Sequence, residues 1–231
     1  YAGEALACSA RLVADHPGAA AAWRSHASAQ RLAAGHVAIS GRLAEAVQAE
    51  LAVGPTLERA LALPHGEGLR LTDVVPMLIR RAITQRLAGR YEAAAATLAE
   101  SLAVAGPALR DDPRDENRQR QYIATVQTTL CVHLHRGRWA EAVALHADAH
   151  ALLPAPEVVG GNRHWQHQWM DALLAVALLA RHGAGAADTV LQRLARRLDS
   201  GLVNLRNDTT ALDAELEANG HIACCHAAAL A

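Results

Sequence analysis

The residues with most capacity for chemistry in this chain are its thirteen histidines and four cysteines. They are densest in His221-Ile222-Ala223-Cys224-Cys225-His226. On a helix His221 stands three and four positions from Cys224 and Cys225, so either pair could face one metal ion. Two or three ligands from one helix do not close such a site, and no fourth ligand is evident. Small cysteines also suit a tight interface, so the pattern favours core packing over zinc. His146 and His150 are again four apart but lack the intervening Glu of the zinc-protease pattern, and read as a solvated or packed pair. Cys131 has His133 and His135 nearby and is expected to share a helix face with neither. His164, Trp165, His167 and Trp169 form the one aromatic cluster. Base stacking would need a basic surround that only Arg163 begins to supply, so the two tryptophans read as core. No phosphate-cradling glycine loop is present, and Lys does not occur. These absences point away from an enzyme and toward a binding role, with no cofactor implied.

Composition narrows the partners. With 22 basic and 23 acidic residues the net charge is -1, too balanced for the basic surface from which nucleic-acid binding draws its affinity. The longest apolar run, 172–180, is too short to span a bilayer. The four cysteines show no disulfide framework, which favours a reducing, cytoplasmic setting over a periplasmic one. The chain starts at Tyr1 without Met and is expected to be a fragment of a longer protein. Hydrophobic residues make up 52% of it, yet only 3% is aromatic and Phe is absent. Alanine-rich composition of this kind favours helices in close contact and disfavours sheets, so the fold class expected is all-α.

The elements that must position any site repeat along the chain. Gly137-Arg138-Trp139-Ala140-Glu141-Ala142 follows Gly89-Arg90-Tyr91-Glu92-Ala93-Ala94 by 48 residues, and Gly41-Arg42-Leu43-Ala44-Glu45-Ala46 lies 48 before that. Gly185-Ala186-Ala187-Asp188-Thr189-Val190 is a weaker copy 48 further on. Each glycine stands between two helical patterns, where a left-handed conformation is least costly. The reading is one repeat domain over 1–231, with a partial repeat at 1–16, repeats at about 17–64, 65–111, 112–160 and 161–207, and a partial repeat at 208–231. Gly54-Pro55 is expected to interrupt one return helix and Gly106-Pro107 to end another. Asp73, Asp112 and Asn162 are expected as N-caps, with Pro113 in the first turn. Helix pairs of this kind bury both apolar faces only by stacking, which predicts an α-solenoid.

In these features the chain resembles a tetratricopeptide (TPR)-like repeat. That family places an aromatic two residues after the turn glycine, alanine five after it and proline at the close of the second helix. Gly137, Trp139, Ala142 and Pro154 match in full. Gly89, Tyr91 and Ala94 match with Gly106-Pro107 at the close, whereas Gly41, Leu43 and Ala46 carry leucine for the aromatic. The period of 48 exceeds the family's usual value of about 34. Similar long repeats occur in regions attached to bacterial serine/threonine kinases and transcriptional regulators. The resemblance implies a protein- or peptide-binding module, the sensing or scaffolding part of a signalling protein, whose first helices line a concave face.

Counting back from each turn glycine puts Arg31, Leu32 and Ile39, then Ile79, Arg80, Ile83, Arg86 and Leu87, on that face. Gln127, Thr128, Cys131, Leu134 and His135 follow, then Ala175, Val176, Leu179 and His182. Guanidinium, amide and imidazole donors over an apolar floor suit an acidic peptide or a free C-terminal carboxylate. Arginines on a solvated face would look the same. A small-molecule or metal-responsive regulator using His221, Cys224 and Cys225 is the alternative. Self-association through exposed end helices such as 209–230 is a third reading.

Overall fold

A computed structural model describes residues 2–64, 70–153, 164–183 and 185–192. Its helices are α1 (Ala2–Asp15), α2 (Ala20–Ile39), α3 (Leu43–Leu61), α4 (Val75–Leu87), α5 (Tyr91–Asp111), α6 (Glu116–His135), α7 (Trp139–Leu152) and α8 (His164–His182). A π-helical turn, Arg70–Val74, leads into α4, and residues 185–192 are also helical. No strand occurs among the described residues, so the all-α class expected from composition is the observed one. Two compact units are present, residues 1–111 and 112–231, and the cut falls where the second repeat was expected to give way to the third. In the first unit α2 packs on α1 and α3, α3 on α4, and α4 on α5; in the second, α6, α7 and α8 pack on one another. None of the described helices is long and apolar enough to cross a membrane.

Three hairpins turn in the same way. Gly41, Gly89 and Gly137 have φ of +80°, +75° and +66°. In the first, the Gly41 N–H donates to the Ala38 carbonyl at 3.0 Å and the Arg42 N–H to the Val37 carbonyl at 3.2 Å. Gly89 and Arg90 repeat this pattern on Arg86 and Gln85, as do Gly137 and Arg138 on Leu134 and His133. This paired cap satisfies two carbonyls left orphaned by the helix end, and it requires the left-handed conformation that glycine adopts without penalty. The fourth turn differs from expectation. Its left-handed residue is Gly183, with φ +79°, not Gly185, which already belongs to the next helical stretch. The Gly183 N–H bonds the Leu179 carbonyl at 3.0 Å, four residues back, where the other three turn glycines reach three back.

Behind each of the three matching turns an alanine is fully buried five residues on, at Ala46, Ala94 and Ala142, and Ala34 and Ala82 are as deeply buried on the preceding helices. Methyl groups at these contacts let helix backbones approach closely, and larger residues fill the space around them. In the first unit Val53 and Leu57 of α3 meet Ala27, Met77 and Leu78. In the second, Ala172, Leu174 and Ala175 of α8 meet Ala187, Val190 and Leu191, with Val143 of α7 against them.

Two prolines depart from the sequence reading. Pro55 lies inside α3 and Pro107 inside α5, and neither ends its helix. Each deprives the carbonyl four residues earlier of a donor, but Leu51 and Ala103 are both exposed, where water replaces it. Burial on either side of each proline, by Val53 and Leu57 and by Ala105 and Leu109, outweighs the lost bond. The caps also move. α6 starts at Glu116 with Asp115 as N-cap, accepting from the Arg118 N–H at 2.8 Å, whereas Asp112 accepts from Arg114 N–H in the turn before it. Asp73 caps nothing, because its carboxylate is bound elsewhere. Asn162 lies outside the described residues.

Replacing Gly137 by Ala forces a β-carbon into the left-handed region and is expected to cost about 1–2 kcal/mol. Leu130→Ala, at a fully buried position of the same unit, is expected to cost about 2–5 kcal/mol. Urea unfolding of both variants against the parent chain measures this order.

Candidate functional site

The first unit gathers charged side chains from three helices around a buried glutamate. Glu50 lies on α3 four residues after Ala46 and three before Val53, so the periodicity that buries those two buries it as well. It is 1% exposed, and neither carboxylate oxygen has a hydrogen-bond partner. The charges of Arg31 on α2 and of Arg80 and Arg81 on α4 all act on it. Arg81 reaches the backbone of α3, its Nη2 lying 3.4 Å from the Glu50 carbonyl oxygen. Gly54 makes room for that approach, since a β-carbon there would stand 3.1 Å from the same nitrogen. Gly35 on α2 also faces a guanidinium, at ordinary contact distance. It is buried, and the Arg80 guanidinium lies 3.5 Å from where its β-carbon would be, so Arg80 rests against the backbone of α2.

Asp73 closes one side of this cluster. Its buried carboxylate accepts from Arg24 Nε at 2.9 Å and from the Thr72 hydroxyl at 2.7 Å, which ties the π-helical turn to α2. That bond accounts for its failure to cap α4: the carboxylate is turned toward α2 and away from the start of its own helix.

Electrostatics set the character of the site. Burial pushes the Glu50 carboxyl above its ordinary range, and Arg80, Arg31 and Arg81 pull it only part of the way back. Burial likewise lowers Arg31, and the neighbouring charge of Arg80 lowers it further, while Glu50 and Asp73 act in the opposite direction. Two guanidinium groups on different helices are therefore held within each other's field. The Arg31 Nε is buried with no hydrogen-bond partner, whereas the Arg80 side chain reaches the surface. An anion entering beside Arg80 would relieve the repulsion and meet two planar donor arrays suited to a carboxylate or phosphate.

Of the residues singled out by counting back from the turns, Arg31 and Arg80 are thus brought together. Arg86 sits half-buried in the last turn of α4, six positions beyond Arg80 and on a different face of the helix. Gln127, Thr128, His135 and His182 belong to the second unit. Gln127 and Thr128 are half-buried on α6, and the Thr128 hydroxyl donates to the Ala124 carbonyl at 2.8 Å. His135 and His182 are exposed at the C-terminal ends of α6 and α8. His221, Cys224 and Cys225 lie outside the described residues, as do 209–230. Cys131 and His135 are four positions apart on α6, so the expectation that Cys131 shares a face with neither histidine holds for His133 and fails for His135. His146 and His150 are packed, against a partner that their spacing does not show, Asp171 of α8.

Glu50 is the residue that counting from the glycines passed over, because that procedure looked only at first helices. A signal was present: a glutamate in register with Ala46, Val53 and Leu57 on an apolar face.

The chain matches no protein-family model, no curated protein and no solved structure.

The raised Glu50 carboxyl has a consequence for stability. A carboxyl with a higher pKa folded than unfolded binds more protons in the folded state, so stability is fullest below the ordinary glutamate range and is lost as pH rises through the raised value. Glu50→Gln removes that loss. Urea unfolding at a series of pH values is expected to show the variant gaining on the parent as pH rises, and parallel profiles would exclude this assignment.

Proposed function

We propose that this chain is a non-catalytic, TPR-like helical-repeat module that binds a protein or peptide partner. The anchor for that partner is an acidic side chain or free C-terminal carboxylate seated between Arg31 and Arg80. One observation carries the reading: the charge of Arg80, which is exposed on α4, acts on half-buried Arg31 of α2, whose Nε has no hydrogen-bond partner.

The local charge balance supports an anion. Arg31, Arg80 and Arg81 oppose one carboxylate, Glu50, whose oxygens make no hydrogen bond, while Asp73 is engaged by Arg24. The cluster is left cationic, and the first charge a partner meets is the accessible guanidinium of Arg80. The same two helices also carry exposed apolar residues, Leu32, Ile39 and Leu87. A carboxylate held by paired arginines amid apolar side chains is a common mode of capturing acidic motifs. A solenoid with a 48-residue period would present such a site on its concave face and would suit a sensing or scaffolding part of a larger signalling protein.

Fluorescence anisotropy with short acidic peptides, each with a free or an amidated C-terminus, tests the reading. Arg80→Glu is expected to weaken binding at least tenfold, about 1.4 kcal/mol, and added salt to weaken it further. Arg42→Glu, at an exposed position on the α2–α3 turn, is expected to leave binding unchanged. Equal affinity of the parent chain and Arg80→Glu for every peptide bound would remove the site.

A further inference from the structure

The second unit holds a separate polar cluster. His146 and His150 stand one turn apart on α7; the His146 Nε2 hydrogen-bonds Asp171 Oδ1 of α8 at 3.0 Å, and the His150 Nε2 lies 3.3 Å from the same oxygen. Their rings lie 4.4 Å apart centre to centre, and one ligand atom from each of the three residues falls within 4.8 Å of the others. We propose that His146, His150 and Asp171 bind a divalent first-row transition ion, with zinc the best fit, and that the ion fastens α7 to α8. This proposal is independent of the peptide-binding reading, which concerns the other unit.

Burial makes the cluster demand positive charge. Asp171 is 0% exposed, and a carboxylate in such a place is costly unless something cationic offsets it. A divalent ion held among the three side chains would supply such an offset. The distances suit an ion. Zinc bonds of about 2.0–2.2 Å to nitrogen and oxygen place neighbouring ligand atoms of a tetrahedron about 3.3 Å apart, so only a small adjustment separates the present arrangement from a coordinated one. Binding needs each ring in the tautomer that leaves the Nε2 lone pair free, with the ring proton on Nδ1.

The donor set chooses the ion. Two imidazoles and one carboxylate suit zinc, cobalt or nickel, whereas calcium and magnesium take oxygen ligands. Entry is from the side of His150, whose side chain is 29% exposed and whose place in the last turn of α7 also favours positive charge. Three protein ligands leave a fourth position for water or an incoming ligand.

Calorimetric titration of the chelator-treated chain with Zn2+, and visible spectroscopy with Co2+, provide the test. The expected result is one ion per chain, tetrahedral Co2+ absorption without thiolate charge transfer, and a Zn2+-dependent rise in melting temperature. His150→Ala, at a half-buried position that tolerates truncation, is expected to weaken binding by more than about 100-fold, beyond the loss typical of a mere supporting residue. Asp171→Asn, which keeps the shape of the side chain, is expected to do the same, and His36→Ala to change nothing. Absence of binding by the parent chain, undiminished binding by His150→Ala, or thiolate charge transfer placing the ion on cysteine would each overturn the proposal. Should Asp171→Asn fail to fold, His150→Ala decides.

Discussion

Close approach of helix backbones is the constraint on which the rest of this structure depends. It is set at the hairpin turns, where Gly41, Gly89 and Gly137 take a left-handed conformation and the paired cap bonds direct the chain straight back. Five residues later a fully buried alanine keeps the returning helix near its partner. The turn and the alanine act together, because a tight reversal would clash if a large side chain stood at the first contact. Glycine serves the same end away from the turns. At Gly54 the missing side chain lets Arg81 lie against a neighbouring helix.

A core made of methyl groups has a consequence for its polar residues. Helices this close leave little space for water, so polar side chains that fall on an inner face must find partners on the next helix or remain without them. Gln85 and Thr97 pair across α4 and α5, the hydroxyl donating to the amide oxygen at 3.0 Å. Asp73 is bound by Arg24 and Thr72. Glu50 lacks direct partners and relies on guanidinium charge acting through space, the least effective of these solutions, since a charge-assisted bond is worth more than attraction at longer range. Asp171 meets the same problem with a hydrogen bond to His146, and the His150 ring lies beside the same oxygen.

The two clusters therefore differ in what they invite. Around Glu50 cationic groups outnumber the buried anion, and Arg80 brings that excess to the surface, so the site suits an anion. At Asp171 a buried carboxylate oxygen lies within 3.3 Å of two imidazole nitrogens, a donor set of the kind that first-row transition ions take.

The sequence by itself determined the all-α class, the positions of the hairpin turns at Gly41, Gly89 and Gly137, and the burial of Ala46, Ala94 and Ala142. These depend on contacts within one hairpin, where residue type and spacing along the chain suffice. It also placed Arg31 and Arg80 on helices bearing the candidate surface. Only tertiary structure decided that the charge of Arg80 acts on Arg31, that Arg24 takes Asp73 from its expected cap, that α3 and α5 run through Pro55 and Pro107, and that Asp171 joins His146 and His150. In each case the deciding contact or burial joins residues far apart in sequence. Helical periodicity fixes the face on which a side chain lies, but carries no information about what another helix will bring to it.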